Sequence, residues 1–374
     1  MTYEIGDLPL ADLLEAIGRA EDRLARLDEA VRRSQVGPGF VERGHFFDSA
    51  ASMWISGELV HVEDLVLHDA HTGVRTPTHE LTIAHAVLRS RRRIAGADPD
   101  WAVSAAGISK LAGIKAEGTD DGFGDGASNG EGEGAPCAEE VGDGDQRDDF
   151  AAIDALLDRS ERLLDQVAQR REPVSAKTTS LMVGELVVRD ADWDERDRVR
   201  SWSELLPKVE RFPPALGAAL LYDAWEAIEP MQRQNWLGGQ LASAYLRTRG
   251  KMTSHLPAFN IGLKAIPRER RRASSRATRL VAFLDAMSAA ADAGTKELAR
   301  LGLAREQMER TLRGRRSSSN LSVVIDLVLS QPMVSTEMIA RAAGVTPRGA
   351  LNLIAELRVR EMTGRGRYRA WGVL

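Results

Sequence analysis

The chain has 374 residues, 43% of them hydrophobic, and a formal net charge of −5; this length suffices for two or three domains with their own cores. No run approaches the roughly 18 apolar residues of a membrane span, and the acidic N-terminus lacks the basic region of a signal peptide. Its single cysteine, Cys137, excludes an intrachain disulfide and a thiolate zinc site, so we expect a cytoplasmic protein without membrane contact.

Apolar residues recur at helical spacing along most of the chain. In chain order, this pattern predicts helices over residues 1–35, 50–56 (after a break at 37–39), 77–95, 103–116, 150–171, 214–228, 235–247, 277–290 and 295–302. Strand signal is scarce before residue 360, which favours a mainly α fold.

A segment of different composition interrupts this pattern at Gly118–Asp149. Its 32 residues hold nine glycines, eleven acidic residues and a single basic residue, Arg147. Such a segment cannot bury enough apolar surface to offset the entropy lost on ordering, so we interpret it as a disordered acidic linker or loop. The predicted domains are an N-terminal helical region over 1–117, this linker over 118–149, a helical domain over 150–316 and a C-terminal domain over 317–374.

The C-terminal domain carries the signals of a winged helix-turn-helix. Ser335 and Thr336 are natural N-caps for its second helix. Gly344 stands where a tight turn requires positive φ, and Thr346 caps the third helix, which holds the recognition position of such a fold. Beyond it, two short extended runs flank a Gly-Arg-Gly turn at 364–366, which indicates a wing hairpin.

Polar and basic side chains of this domain are placed to contact duplex DNA. Arg348 and Asn352 face outward near the start of the third helix, and these residue types read guanine and adenine by paired hydrogen bonds. The full candidate set for bases and phosphates is Ser335, Thr336, Thr346, Arg348, Asn352, Arg365, Arg367 and Arg369. Residues 247–374 have a net charge of +14 and residues 1–246 one of −19, so the basic end suits a polyanion.

The middle of the chain resembles the core of the Fic family, whose members transfer AMP or related groups from nucleotides. The family motif HPFxDGNGRxxR follows a helix of the type predicted at 214–228, and it falls on residues 229–240. Pro230 and Asn235 match. The catalytic histidine position is Glu229 and the metal-binding acid position is Arg233. The remaining phosphate-binding positions hold Gln234, Trp236, Leu237 and Gln240.

These departures put nucleotide chemistry in doubt. The carboxylate of Glu229 would repel a triphosphate, Arg233 would repel Mg²⁺, and Trp236 would block the close backbone approach that glycine permits. We therefore expect a degenerate Fic-like helical body without catalytic residues, without a metal site and without a cofactor.

Two further local resemblances lie outside this segment, and a third covers the whole chain. The segment 52–57 is similar to the inhibitory SxxIEG motif of the Fic family, with Ser56 in place of its glutamate. Fic proteins of this layout often end in a winged helix with a TGRxRxR-like hairpin, as Thr363–Arg369 does. The whole chain also resembles a bacterial family of unknown function, often plasmid-borne, that ends in a helix-turn-helix.

The first hypothesis is therefore a DNA-binding protein, a transcriptional regulator whose partner is double-stranded DNA and whose body senses an unidentified effector or forms a homodimer. The first alternative is a divergent Fic-like nucleotidyl or phosphoryl transferase that uses Glu229 and Asn235. The second is a toxin–antitoxin or plasmid-maintenance interaction protein whose winged helix serves autoregulation. Six of the seven histidines lie between His45 and His85, but solvated or core histidines explain them better than a metal site.

Overall fold

The computed structural model describes residues 3–71, 76–114, 193–312, 319–363 and 369–373. Several sequence predictions lie outside these ranges: the linker at 118–149, the helix at 150–171, and the side chains of Arg365 and Arg367. By its contacts, Met1–Ala112 forms one compact unit with Trp193–Leu374. All helices and strands given below belong to this unit.

The part of this unit that precedes residue 313, here called the body, is helical, as the sequence predicts. Its α-helices, numbered α1 to α12 in chain order, are Leu10–Arg33, Gly37–Ile55, Val62–Asp69, His79–Gly96, Ala105–Ala112, Glu195–Ser203, Leu206–Val209, Pro214–Ile228, Leu237–Thr248, Phe259–Ala265, Arg268–Arg271 and Arg276–Leu312, with a 3₁₀ turn at Trp101–Val103. Within the described ranges, no helix combines the length and apolar character needed to cross a bilayer.

Helix α2 begins earlier than the sequence predicts. The break assigned to residues 37–39 is instead its first turn, because Pro38 occupies a position where a missing N–H costs no hydrogen bond. Helix α12 also joins two predicted runs into one helix of 37 residues. Gly294, between those runs, packs closely against Leu27 and Phe40, so packing between distant elements sustains the helix where local propensity falls.

The core forms where α1 and α10 pack against α12, and α8 packs against α9. Aromatic rings fill it in edge-to-face pairs, the arrangement that the ring quadrupoles favour. Tyr222 contacts Phe259 and Phe283 at centroid distances of 5.0 and 4.9 Å, and Trp202 contacts Trp225 at 5.4 Å.

The C-terminal part has three helices and a small antiparallel sheet. In chain order the elements are α13 (Ser319–Ser330), β1 (Val334–Ser335), α14 (Thr336–Ala343), α15 (Pro347–Leu357), β2 (Arg360–Glu361) and β3 (Ala370–Gly372). The strand order is β1-β3-β2, and Trp371 of β3 lies opposite both Val334 and Glu361. The segment between β2 and β3 includes residues 364–368, outside the described ranges.

Candidate nucleic-acid interface

Local hydrogen bonds position α14 and α15. Ser335 Oγ accepts from the Met338 N–H at 3.2 Å, and Thr346 Oγ1 accepts from the Gly349 N–H at 3.2 Å. Gly344 ends α14 with φ +62°. These bonds confirm the predicted turn and the predicted caps at Ser335 and Thr346, whereas Thr336 is the first residue of α14 and not its cap. Each capping oxygen keeps its own O–H, which can still donate to a phosphate.

One face of α15 is buried and the opposite face is open. Ala350, Ile354 and Leu357 enter the core. Arg348 and Asn352, one helical turn apart, are both exposed. The two side chains predicted to read bases therefore share an accessible face at the N-terminal half of the helix.

The sequence predicts that Arg369 is available to bind a DNA phosphate, but in the structure its guanidinium is already paired. Its Nε and Nη2 donate to Glu361 Oε2 at 3.0 and 2.6 Å, and its guanidinium lies over the Trp371 ring at 5.3 Å. The hydrogen bond from Arg369 lowers the pKa of the Glu361 carboxyl. A phosphate would have to compete with Glu361 for this guanidinium.

Sequence reasoning missed the side chain that links this region to the body. Arg43 of α2 is 1% exposed. Its Nε donates to Glu297 Oε1 at 2.9 Å, its Nη2 to the Val373 carbonyl at 3.2 Å, and its Nη1 to the Gln331 carbonyl. The sequence near Arg43 does not indicate that this arginine is buried, because all three acceptors are 254 or more residues away in the sequence.

A second missed contact lies at the end of α14. Arg341 donates from Nη2 to Glu337 Oε1 at 3.1 Å and from Nη1 to the Ala70 carbonyl, just after α3, at 3.3 Å. The C-terminal region thus contacts the body at two places: after its last strand, through Arg43, and near the end of α14, through Arg341.

The segment 229–240, which carries the Fic-like motif, is held by structural contacts. Glu229 ends α8 in the left-handed conformation with φ +47°. The Nε1 of buried Trp225 donates to the Asn235 carbonyl at 3.1 Å and to Asn235 Oδ1 at 3.2 Å. A Cβ at Gly238 would lie 2.3 Å from the Trp225 ring. The one matching asparagine therefore positions an indole.

The position that corresponds to the second phosphate-binding arginine of the Fic motif is Gln240, and its side chain faces the core. Gln240 is fully buried; its Nε2 donates to the Val87 carbonyl at 3.0 Å, and its Oε1 accepts from Ser90 Oγ at 2.6 Å. Both partners belong to α4. A side chain so enclosed is not available to a nucleotide.

A buried cluster has the composition Ser-His-Asp. Ser254 Oγ donates to Asp28 Oδ1 at 2.6 Å and lies 2.9 Å from His255 Nδ1. Burial alone would raise the pKa of Asp28, but hydrogen bonds from Ser254 and Thr253 hold that pKa at about 2. Because the Asp28 carboxylate also accepts the N–H groups of both residues, the cluster anchors the segment after α9 to α1.

Two histidines of the N-terminal region contact each other, and one of them also pairs with an acid. His68 and His85 are in edge-to-face contact at 4.7 Å, and His85 Nε2 lies 3.2 Å from Asp69 Oδ1. Arg92 donates to both oxygens of Asp69, at 2.7 and 2.9 Å. Across the residues whose placement is described, no group of three or more His, Cys, Asp or Glu side chains is arranged to hold a metal ion.

Comparison with known proteins gives two family matches and one full-length relative. Residues 187–313 match a family described as "Protein of unknown function (DUF1612)", and residues 321–374 match one described as "HTH DNA binding domain". The "Uncharacterized protein y4cF" of Sinorhizobium fredii (strain NBRC 101917 / NGR234) is 44% identical over 392 aligned positions, which cover both chains completely. The helix-turn-helix is thus confirmed, while the Fic resemblance stays an interpretation of the 229–240 segment.

Proposed function

The chain belongs to the family of the Sinorhizobium fredii protein, with a DUF1612 domain and a C-terminal HTH DNA-binding domain, and from this premise we propose that it is a transcriptional regulator. Its winged helix-turn-helix binds duplex DNA in a site-selective manner. The observation that carries the proposal is the open N-terminal half of α15, where Arg348 and Asn352 are exposed on one face.

The second part of the proposed interface is a wing, formed by two strands of the small sheet and the segment between them. Strands β2 and β3 pair antiparallel, as the two arms of a wing do. Arg365, Arg367 and Arg369 follow one another at alternate positions in the connecting segment. The wing therefore supplies phosphate contacts through Arg365 and Arg367, and through Arg369 where a phosphate displaces Glu361, while α15 supplies base contacts. If two copies bind a palindromic site, its half-sites lie about one helical turn, roughly 34–36 Å, apart.

Arginine replacements at the helix and at the wing are expected to have different effects. Arg348→Ala should cost roughly 1–3 kcal/mol at the preferred site and relax the sequence preference there, because a base contact is lost. Arg367→Ala should weaken binding to all sequences about equally. It should also reduce the salt slope, the slope of log K against log salt concentration, by about one unit. The measurement is a binding titration of the full chain on selected and scrambled duplexes at several salt concentrations.

Arg26→Ala is the matched control for these replacements. Arg26 lies on α1, is 78% exposed and pairs with Asp22, so its removal changes the charge equally without touching the proposed interface. Equal losses for Arg26→Ala and Arg348→Ala would refute base reading by Arg348.

We further propose that the body is not a nucleotide transferase. Asn235 is engaged by Trp225, and Gln240 is enclosed against α4, so neither is available to phosphates. Labelled ATP should modify no protein in the presence of the purified chain, and Glu229→His alone should not create transfer. Nucleotide-dependent labelling that Asn235→Ala abolishes would instead establish the transferase alternative.

A further inference from the structure

We propose that Arg43 is a positioning residue for DNA binding, through which the helical body holds the helix-turn-helix in its binding-competent arrangement. The inference rests on the proposed function, and it adds a dependence of DNA affinity on a body residue that does not touch DNA. It arises from the contacts of one buried guanidinium with acceptors in the body and in the C-terminal domain.

The two C-terminal acceptors of Arg43 come from distant parts of the domain's sequence. The Gln331 carbonyl follows α13, and the Val373 carbonyl follows β3. Arg43 therefore ties the end of the first helix to the end of the central strand of the sheet, and Glu297 of α12 orients the same guanidinium from the body side. Without Arg43, two carbonyls in a water-poor site would lose a charged donor, which is costly.

Backbone packing beside Arg43 reinforces this connection. Gly39, one turn earlier on α2, lies so close to α13 that a Cβ there would be 2.9 Å from the Leu329 carbonyl oxygen and 3.1 Å from its carbon. Helix α2 and the end of α13 therefore meet backbone to backbone. Arg305 of α12 adds a pair with Asp326 of α13, with Nη1 to Oδ1 at 3.0 Å.

The docked arrangement leaves the proposed DNA face open. Arg348 and Asn352 are exposed while Arg43 holds the sheet and the end of α13. Docking therefore positions the domain without covering its recognition helix. When the docked population falls, the apparent affinity for DNA falls by the same fraction, because only the competent state binds.

The test compares Arg43→Lys with Arg91→Lys in the full chain. Arg91 is a matched control because it is also fully buried and donates to one carboxylate, Asp48, and to two carbonyls, those of Leu256 and Pro257, all within the body. Lysine keeps the charge but not the planar fork that reaches several acceptors. We expect Arg43→Lys to weaken binding to a selected duplex about tenfold and Arg91→Lys to leave the affinity of the folded protein within about twofold, although both lower thermal stability.

Two readouts separate positioning from other roles. The salt slope of a further variant that removes the charge, Arg43→Gln, should equal that of the wild type, because a 1% exposed side chain neutralises no phosphate. Hydrogen exchange should accelerate at residues 325–334 and 369–373. If Arg43→Lys does not fold, a second pair of variants tests the same connection. Gly39→Ala should also weaken DNA binding, whereas its control Gly44→Ala should not, because a Cβ at Gly44 meets nothing within 4 Å.

Each contrary result has a distinct meaning. Wild-type affinity in both Arg43→Lys and Gly39→Ala would overturn the inference and leave the proposed function standing. Equal losses in Arg43→Lys and Arg91→Lys would overturn it in favour of a general stability effect. A salt slope lower by one unit in Arg43→Gln would overturn it by assigning Arg43 to direct phosphate contact. A wild-type chain that binds no DNA would refute the proposed function and this inference with it.

Discussion

Replacing Asp48 by alanine is expected to lower the free energy of unfolding by about 3–5 kcal/mol, because the change leaves a buried charge without its partner. Asp48 is fully buried. Its Oδ2 accepts from Arg91 Nη1 at 2.5 Å, and its Oδ1 accepts from the N–H groups of Asn260 and Ile261 at 2.8 and 3.2 Å. The replacement thus also removes the carboxylate that satisfies the first turn of α10. Urea denaturation followed by circular dichroism measures the loss.

Asp326→Ala is the control for this prediction. Asp326 pairs with Arg305 at 3.0 Å, but its side chain is 65% exposed, and surface pairs of this kind contribute about 0–1 kcal/mol. A similar loss for the two aspartates would contradict the role assigned to the buried Asp48–Arg91 pair.

The second large effect is expected for Trp225→Ala, at about 3–5 kcal/mol, because a large buried ring leaves a cavity that the surrounding helices cannot fill. The ring packs edge-to-face on Trp202 and lies against Gly238. Its Nε1 also holds Asn235, so the segment 229–240 should loosen at the same time. Thermal denaturation, with limited proteolysis to locate the loosened segment, measures both effects.

Trp54→Ala provides the comparison, since Trp54 is 40% exposed and truncation there opens little cavity. We expect that variant to lose about 1 kcal/mol or less. If Trp225→Ala were tolerated as well as Trp54→Ala, the interpretation of Asn235 as a structural partner of the indole would be wrong.

The features that the sequence predicts correctly are those that depend on neighbours within a turn or two. The caps at Ser335 and Thr346 and the glycine turn at Gly344 need only a hydroxyl or a missing Cβ at the right offset from an apolar stripe. The structure has them where the pattern places them. For the same reason the exposed face of Arg348 and Asn352 follows from helical periodicity alone.

The features that the sequence does not predict depend on contacts between distant segments. Arg43, Asp48 and Arg91 look like ordinary surface charges of amphipathic helices, yet each is buried by elements more than 160 residues away in sequence. The first turn of α2 has a related origin, because Gly39 lies against the distant Leu329 carbonyl. A composition that signals a break in an isolated chain instead permits close helix packing here.

The same distinction applies to the Fic-like segment. The departures at Glu229 and Arg233 are visible in the sequence, but the enclosure of Gln240 by Val87 and Ser90 is not. Whether a degenerate motif keeps an open ligand site depends on what packs against it, and here the contacts come from α4 and α8.

Site-selective DNA binding is tested most directly by titrating the full wild-type chain with duplexes selected from a genomic library, and with scrambled duplexes of equal length, at several salt concentrations. We predict tighter binding to the selected duplex and a linear fall of log K with log salt concentration, with a slope near −0.9 for each phosphate neutralised. No binding to either duplex at low salt would contradict the account, since the exposed face of α15 would then serve another partner.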